Sequence, residues 1–88
     1  MKTAFKKSFL KEIEKLKSKK LKESIADIIN QVEISSNIIA VKNIKKLAGY
    51  DCYYRIRIRD YRIGIKIEDE IVHFVILEHR KNIYKVFP

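Results

Sequence analysis

Residues 53 to 68, YYRIRIRDYRIGIKIE, alternate apolar and polar side chains almost without a break. Successive side chains of a β-strand point to opposite faces, so this period of two specifies strands and would scatter isoleucines around a helix. Two strands flanking Arg59-Asp60 sort the residues cleanly. In the first, Tyr54, Ile56 and Ile58 share one face, and Arg55, Arg57 and Arg59 share the other. In the second, Tyr61, Ile63, Ile65 and Ile67 oppose Arg62, Gly64 and Lys66. EIVHFVILEHR follows the acidic turn EDE and supplies a third strand, giving an antiparallel meander with one apolar face.

That apolar face needs a cover, and the first half of the chain offers one. Phe9, Ile13 and Leu16, with Leu10 beside them, have helical spacing and predict a helix over residues 6–17. Leu21, Ile25, Ile28, Ile29 and Val32 form the apolar stripe of a second helix, with Ser18 as its N-cap. The leading KTAF has strand composition but is too brief to assign from its pattern. EISSNIIAVKNIKKLAGYD reads as an irregular connection with a helical turn around Ile38 to Val41. No Pro/Gly/Ser linker divides the chain. The expected class is α+β, one domain over residues 1–88, with a helical hairpin on one face of an antiparallel sheet.

Charge narrows the function. Lys and Arg total 20 against 11 acidic residues, a net charge of +9 that favours a polyanionic partner. Lysine is the ordinary cation of the first half, whereas all five arginines lie between positions 55 and 80. Arginine's planar fork gives paired hydrogen bonds to phosphate and keeps its charge when partly desolvated. The arginine face therefore reads as a phosphate-binding surface. Arg55, Arg59 and Lys66 are backbone contacts, Tyr61 is a stacking platform for bases, and Gly64 leaves open space beside Arg62.

Other chemistries find little support. The single Cys52 cannot form an internal disulfide and fits a reducing cytoplasm. Charges interrupt every apolar run near the N-terminus, so neither a signal peptide nor a membrane span is expected. No Cys/His spacing matches a zinc site and no glycine-rich phosphate loop occurs, so no cofactor is expected.

The run NIKKLAGYDCYYRIRIRDYRIGIKIEDEIVHFVILEHRKNIY resembles the RelE/ParE superfamily of toxins from type II toxin–antitoxin systems, especially the RelE-like branch. The resemblance implies a microbial-RNase-like sheet with two helices on one face and a concave basic face opposite. It implies a cytoplasmic endoribonuclease that cuts mRNA in the ribosomal A site, held in check by a cognate antitoxin. Either a monomer or a toxin–antitoxin hetero-oligomer is compatible with it. Carried over by motif, the site residues are Arg55 and Arg57 in YRIRIR, Arg62 in DYR, Arg80 in EHR and Tyr84 in NIY. The founding member has lysines where this chain has Arg55 and Arg57. The four residues after Tyr84 leave no room for the C-terminal helix of some relatives. Two alternatives share the fold: a ParE-like inhibitor of DNA gyrase, and an inactive homologue that binds RNA without cutting it.

Metal-independent cleavage requires the ribose 2′-OH to attack the neighbouring phosphate while the 5′-oxygen leaves. Arg57, Arg62 and Arg80 suit the negative charge that develops on the phosphoryl oxygens. Glu78, His79 and Tyr84 are the candidate bases, His79 having the most suitable ordinary pKa. Adjacent strand residues face opposite ways, so Glu78 and His79 cannot both join the arginine face unless a bulge intervenes. Tyr84 equally suits orienting the 2′-OH, stacking on a base, or simple packing.

Overall fold

The computed structural model describes residues Met1–Pro88. Its centre is the expected meander: β3 (Tyr53–Ile58), β4 (Tyr61–Glu68) and β5 (Ile71–His79). β3 and β4 pair with Ile56 opposite Ile63 and Arg57 opposite Arg62, so each face is chemically uniform. Two further strands widen the sheet to the order β1-β5-β4-β3-β2. β1 (Lys2–Phe5) lies parallel to β5, and β2 (Ile44–Lys46) lies antiparallel to β3. β2 corrects the reading of residues 33–51 as an irregular connection. Three residues show only one alternation, and they become a strand because the open edge of β3 accepts them.

The helices α1 (Lys7–Lys15) and α2 (Lys19–Ile34) cover the isoleucine face. The Ser18 hydroxyl caps α2, accepting the Leu21 N–H at 3.1 Å. Phe9, Leu21, Ile25 and Val32 pack against Ile56, Ile63, Ile65, Val72 and Phe74, all buried. Phe5 stacks on both Phe9 and Phe74, which meet each other at a tilt, with ring centroids 5.2–6.0 Å apart. A short 3-10 turn, Ile38–Ala40, brings Ile38 and Val41 over the same core. No helix is long and apolar enough to cross a membrane.

The other face of the sheet is only partly open. Gly64 pairs with Ile76 but Ile65 pairs with Phe74, so Val75 is an extra residue that bulges β5. Val75 and Ile76 consequently pack on the outer side, against Leu47, Ile83 and Phe87. Ile83 belongs to α3 (Ile83–Val86), a single helical turn that includes Tyr84, and Phe87 follows it. The expected open space at Gly64 is also filled. A Cβ there would lie 2.8 Å from the Phe87 ring, so glycine is required by the aromatic side chain above it.

Truncating Ile56 or Ile63 to alanine is expected to lower stability by about 2–5 kcal/mol in denaturant melts, since both are fully buried. Gly64→Ala is expected to cost ~1–3 kcal/mol while Phe87 is present. In a Phe87→Ala background that penalty should nearly vanish. Additive losses in this double-mutant cycle would show that the ring is not what excludes a side chain.

Candidate functional site

Across the outer side of β2, β3 and β4, Lys45 stands opposite Arg55, and Arg57 stands opposite Arg62. With Asn43, Ile44 and Tyr84 these residues line an open cavity of about 350 Å³. Like charges directly opposite each other destabilise a sheet. Here no ion pair offsets them: no carboxylate lines the cavity, Glu78 stands opposite Arg62 on β5 without pairing to it, and the ion pairs Lys15–Glu12, Lys66–Glu68 and Arg80–Asp60 lie elsewhere. The cations are positioned by neutral groups instead. Arg62 Nη1 donates to the carbonyl oxygens of Arg59 and Tyr61, at 3.1 and 2.9 Å. Arg57 Nη2 donates to Asn43 Oδ1 at 3.4 Å, a weak bond, while its backbone N–H donates to the Asn43 carbonyl at 3.1 Å. Asn43 adopts a left-handed φ of 64°, which asparagine tolerates better than most residues. The result is a concave patch of uncompensated positive charge, suited to phosphate.

Tyr84 stands at one side of this patch. Its neighbours Ile83 and Phe87 are buried in the small outer core, while Tyr84 itself is 74% exposed. The Arg55 guanidinium carbon lies 4.6 Å from the centroid of its ring. Arg55 lowers the phenol's pKa, first by hydrogen bonding and then by its charge, and Arg62 and Lys45 add to the positive field. The ionised phenolate is thereby favoured over that of an ordinary tyrosine.

The remaining candidates from the sequence lie apart. Tyr61 pairs with His79, their ring centroids 5.6 Å apart, and Tyr61 packs against the main core on the helix side. Neither side chain joins the arginine face, because strand alternation and the β5 bulge direct both to the other side. His79 Nδ1 instead accepts the Lys81 N–H at 3.2 Å, closing the turn after β5. Glu78 is the residue opposite Arg62, and its Oε1 accepts the His79 N–H at 3.0 Å. Arg59 has a φ of 53° in the β3–β4 turn and leaves the arginine row. It lines an adjoining groove with Asp27 and Gln31 of α2, which meets the cavity at Asn43 and Arg57. Arg80 sits at the same end of the sheet, outside the cavity, with Nε 3.8 Å from Asp60 Oδ1. Lys66 pairs with Glu68 at 3.0 Å and lies on the far side of Gly64 from Arg62. The cavity therefore gathers Arg55, Arg57, Arg62 and Tyr84, and adds Asn43 and Lys45, which the sequence reading passed over. Their signal was the alternation in NIK, with the half-buried Ile44 turned to the core and its neighbours outward.

Known proteins share this arrangement of strands and helices. The family model for the ParE toxin of the type II toxin-antitoxin system parDE matches residues 4–84. Toxin RelE3 of Methanocaldococcus jannaschii is 38% identical over 89 residues, covering 100% of both chains. The crystal structure of the RelB-RelE antitoxin-toxin complex from Methanococcus jannaschii matches with a TM-score of 0.80 and 36% identity, over 96% of this chain and 98% of that one. The intact E. coli RelBE toxin-antitoxin complex matches with a TM-score of 0.70 and 28% identity, covering 89% and 94%. With a family match over nearly its whole length and a full-length relative above 30% identity, the chain belongs to the RelE/ParE superfamily, as a RelE-like toxin of type II toxin–antitoxin systems.

Proposed function

We propose that this toxin is an mRNA interferase, an endoribonuclease that cleaves by attack of a ribose 2′-OH on the adjacent phosphate. The observation that carries this reading is the cluster of Lys45, Arg55, Arg57 and Arg62 around one cavity, unneutralised and bordered by an ionisable phenol. Arg57 and Arg62 grip the non-bridging oxygens of the scissile phosphate and stabilise the charge that gathers there. Tyr84, as phenolate, takes the 2′-OH proton, and Arg55 keeps that phenolate available. Arg80 and Arg59, outside the cavity, hold flanking phosphates. His79 and Tyr61 have no part in the site, because both side chains lie on the helix side.

The same reading supplies a partner. The solved RelE relatives include complexes with RelB antitoxins, and this toxin takes a cognate antitoxin of its own. A cleft between α1 and α2, lined by Phe5, Leu10, Ile13 and Ile29 with Lys22 beside them, suits an acidic amphipathic segment. Co-expression with the neighbouring reading frame is expected to give a stable complex and restore growth. Continued toxicity beside a folded, expressed neighbour would count against that partner.

The function is tested by adding purified protein to stalled ribosomes and mapping mRNA ends, with gyrase supercoiling measured in parallel. Cutting is expected to persist in chelator and to leave a 2′,3′-cyclic or 3′-phosphate and a 5′-hydroxyl. Ribosome-bound mRNA should be cut faster than naked RNA, since the ribosome holds the reacting atoms in place. Arg57→Ala and Arg62→Ala should each reduce cleavage about 100- to 1,000-fold, with unchanged circular dichroism. Intact mRNA together with inhibited gyrase would establish the ParE-like activity instead.

The tyrosine base makes a separate pH prediction. The phenolate fraction rises with pH and saturates once the pKa is passed, so the rising limb of the cleavage rate should end there. Because Arg55 lowers that pKa, the end of the limb should fall below the ordinary value of 10.0. Arg55→Gln should move it upward, and Tyr84→Phe should remove it. A profile indifferent to both changes would exclude Tyr84 as the base.

A further inference from the structure

Cleavage of this kind needs two proton transfers: one away from the 2′-OH and one towards the departing 5′-oxygen. Tyr84 accounts for the first, which leaves the second without a donor. Of the other side chains lining the cavity, Arg55, Arg57 and Arg62 are guanidinium groups, which are effectively never deprotonated in proteins. Asn43 and Ile44 offer no exchangeable acid. Arg80 lies outside the cavity, as do His79 and Glu78. One group remains: the Lys45 ammonium, which can give up a proton and take another from water.

Its position fits. Lys45 is the middle residue of β2 and the cross-strand partner of Arg55. It is exposed, lines the cavity, and enters no ion pair. Its charge is felt at the Tyr84 hydroxyl, so the two groups serve one compact site.

We propose that Lys45 is the general acid of the cleavage reaction, an inference that rests on the nuclease reading above. As the 2′-oxygen forms its bond to phosphorus and loses its proton to the Tyr84 phenolate, the phosphorus–O5′ bond breaks. The Lys45 ammonium then passes one proton to the departing 5′-oxygen. The products are a 2′,3′-cyclic phosphate, a 5′-hydroxyl, a neutral phenol and a neutral amine. The last two exchange a proton through water, and the starting state returns without any external reagent.

The experiment compares single-turnover cleavage of ribosome-bound mRNA by the wild type, Lys45→Arg and Lys45→Ala. Two messages are used, one natural and one carrying sulfur in place of the bridging 5′-oxygen at the cut. A thiolate leaves unprotonated, its conjugate thiol having a pKa of about 8.5 against a far higher value for an alcohol. Both variants are expected to lose about 100-fold or more on the natural message and to recover near-wild-type rates on the sulfur message. Lys45→Arg keeps the charge, so its loss separates proton donation from electrostatic binding. Equal losses on both messages would overturn the acid role in favour of charge alone, and a fully active Lys45→Arg would overturn it outright. A wild type that leaves both messages intact overturns the nuclease reading itself, which distinguishes the two failures.

Discussion

The pairing of β3 with β4 decides what each side of the sheet is made of. Ile56 meets Ile63 on the helix side, and Arg57 meets Arg62 on the other. A slip of one residue in a strand moves every side chain to the opposite face. Such a slip in either strand would drive arginines under α1 and α2, where an unpaired charge costs several kcal/mol even after relaxation. The buried isoleucines therefore hold the arginine cluster in register, although the two groups never touch. The Arg57–Arg62 pairing works against stability, and the hydrophobic core on the other side offsets it.

A second constraint comes from β5, which contributes to two cores of different size. Val72, Phe74 and Leu77 are buried under the helices, and Val75 and Ile76 face the outer cluster. The extra residue at the bulge makes this possible, because the strand's inside and outside exchange phase there. The outer cluster fixes α3 through Ile83 and Phe87, and α3 carries Tyr84. A fully exposed strand position would present a tyrosine less firmly. The phenol thus depends on apolar burial at its two flanks, while its charge state depends on Arg55.

Much of this was legible from residues alone, because alternation and helical stripes are direct consequences of burial. The sorting of isoleucines from arginines, both helices and the Ser18 cap follow from patterns several turns or pairs long. The features missed were the ones that patterns cannot encode. β2 spans three residues and exists because β3 has a free edge, so Lys45 stayed hidden in a presumed loop. Phe87 is distant from Gly64 in sequence, and nothing local announces that its ring lands there. Tyr61 and His79 looked functional by residue type and by their neighbours. Their own strand parity, together with a bulge invisible in the sequence, turned them towards the core. Family resemblance named Arg80 as well, yet it lies beside Asp60 and not in the cavity.

The ring of Phe87 over Gly64 also divides the basic face into unequal parts, with Arg57 and Arg62 on one side, Lys66 on the other and Arg55 level with the ring on β3. Strands in a sheet stand about 4.8 Å apart, so a cavity crossing three of them is only about 10 Å wide. That span is the size of one phosphate and its adjoining sugars, with the Phe87 ring at its edge, and further phosphates would meet only Arg59 and Arg80 outside it. A footprint so small displaces few counterions, each single-strand phosphate adding only about 0.7 to the salt slope. It also leaves few base edges within reach. A face of this size offers charge at one point and little for reading a sequence, so any selectivity for a polyanion has to come from the surface that delivers it.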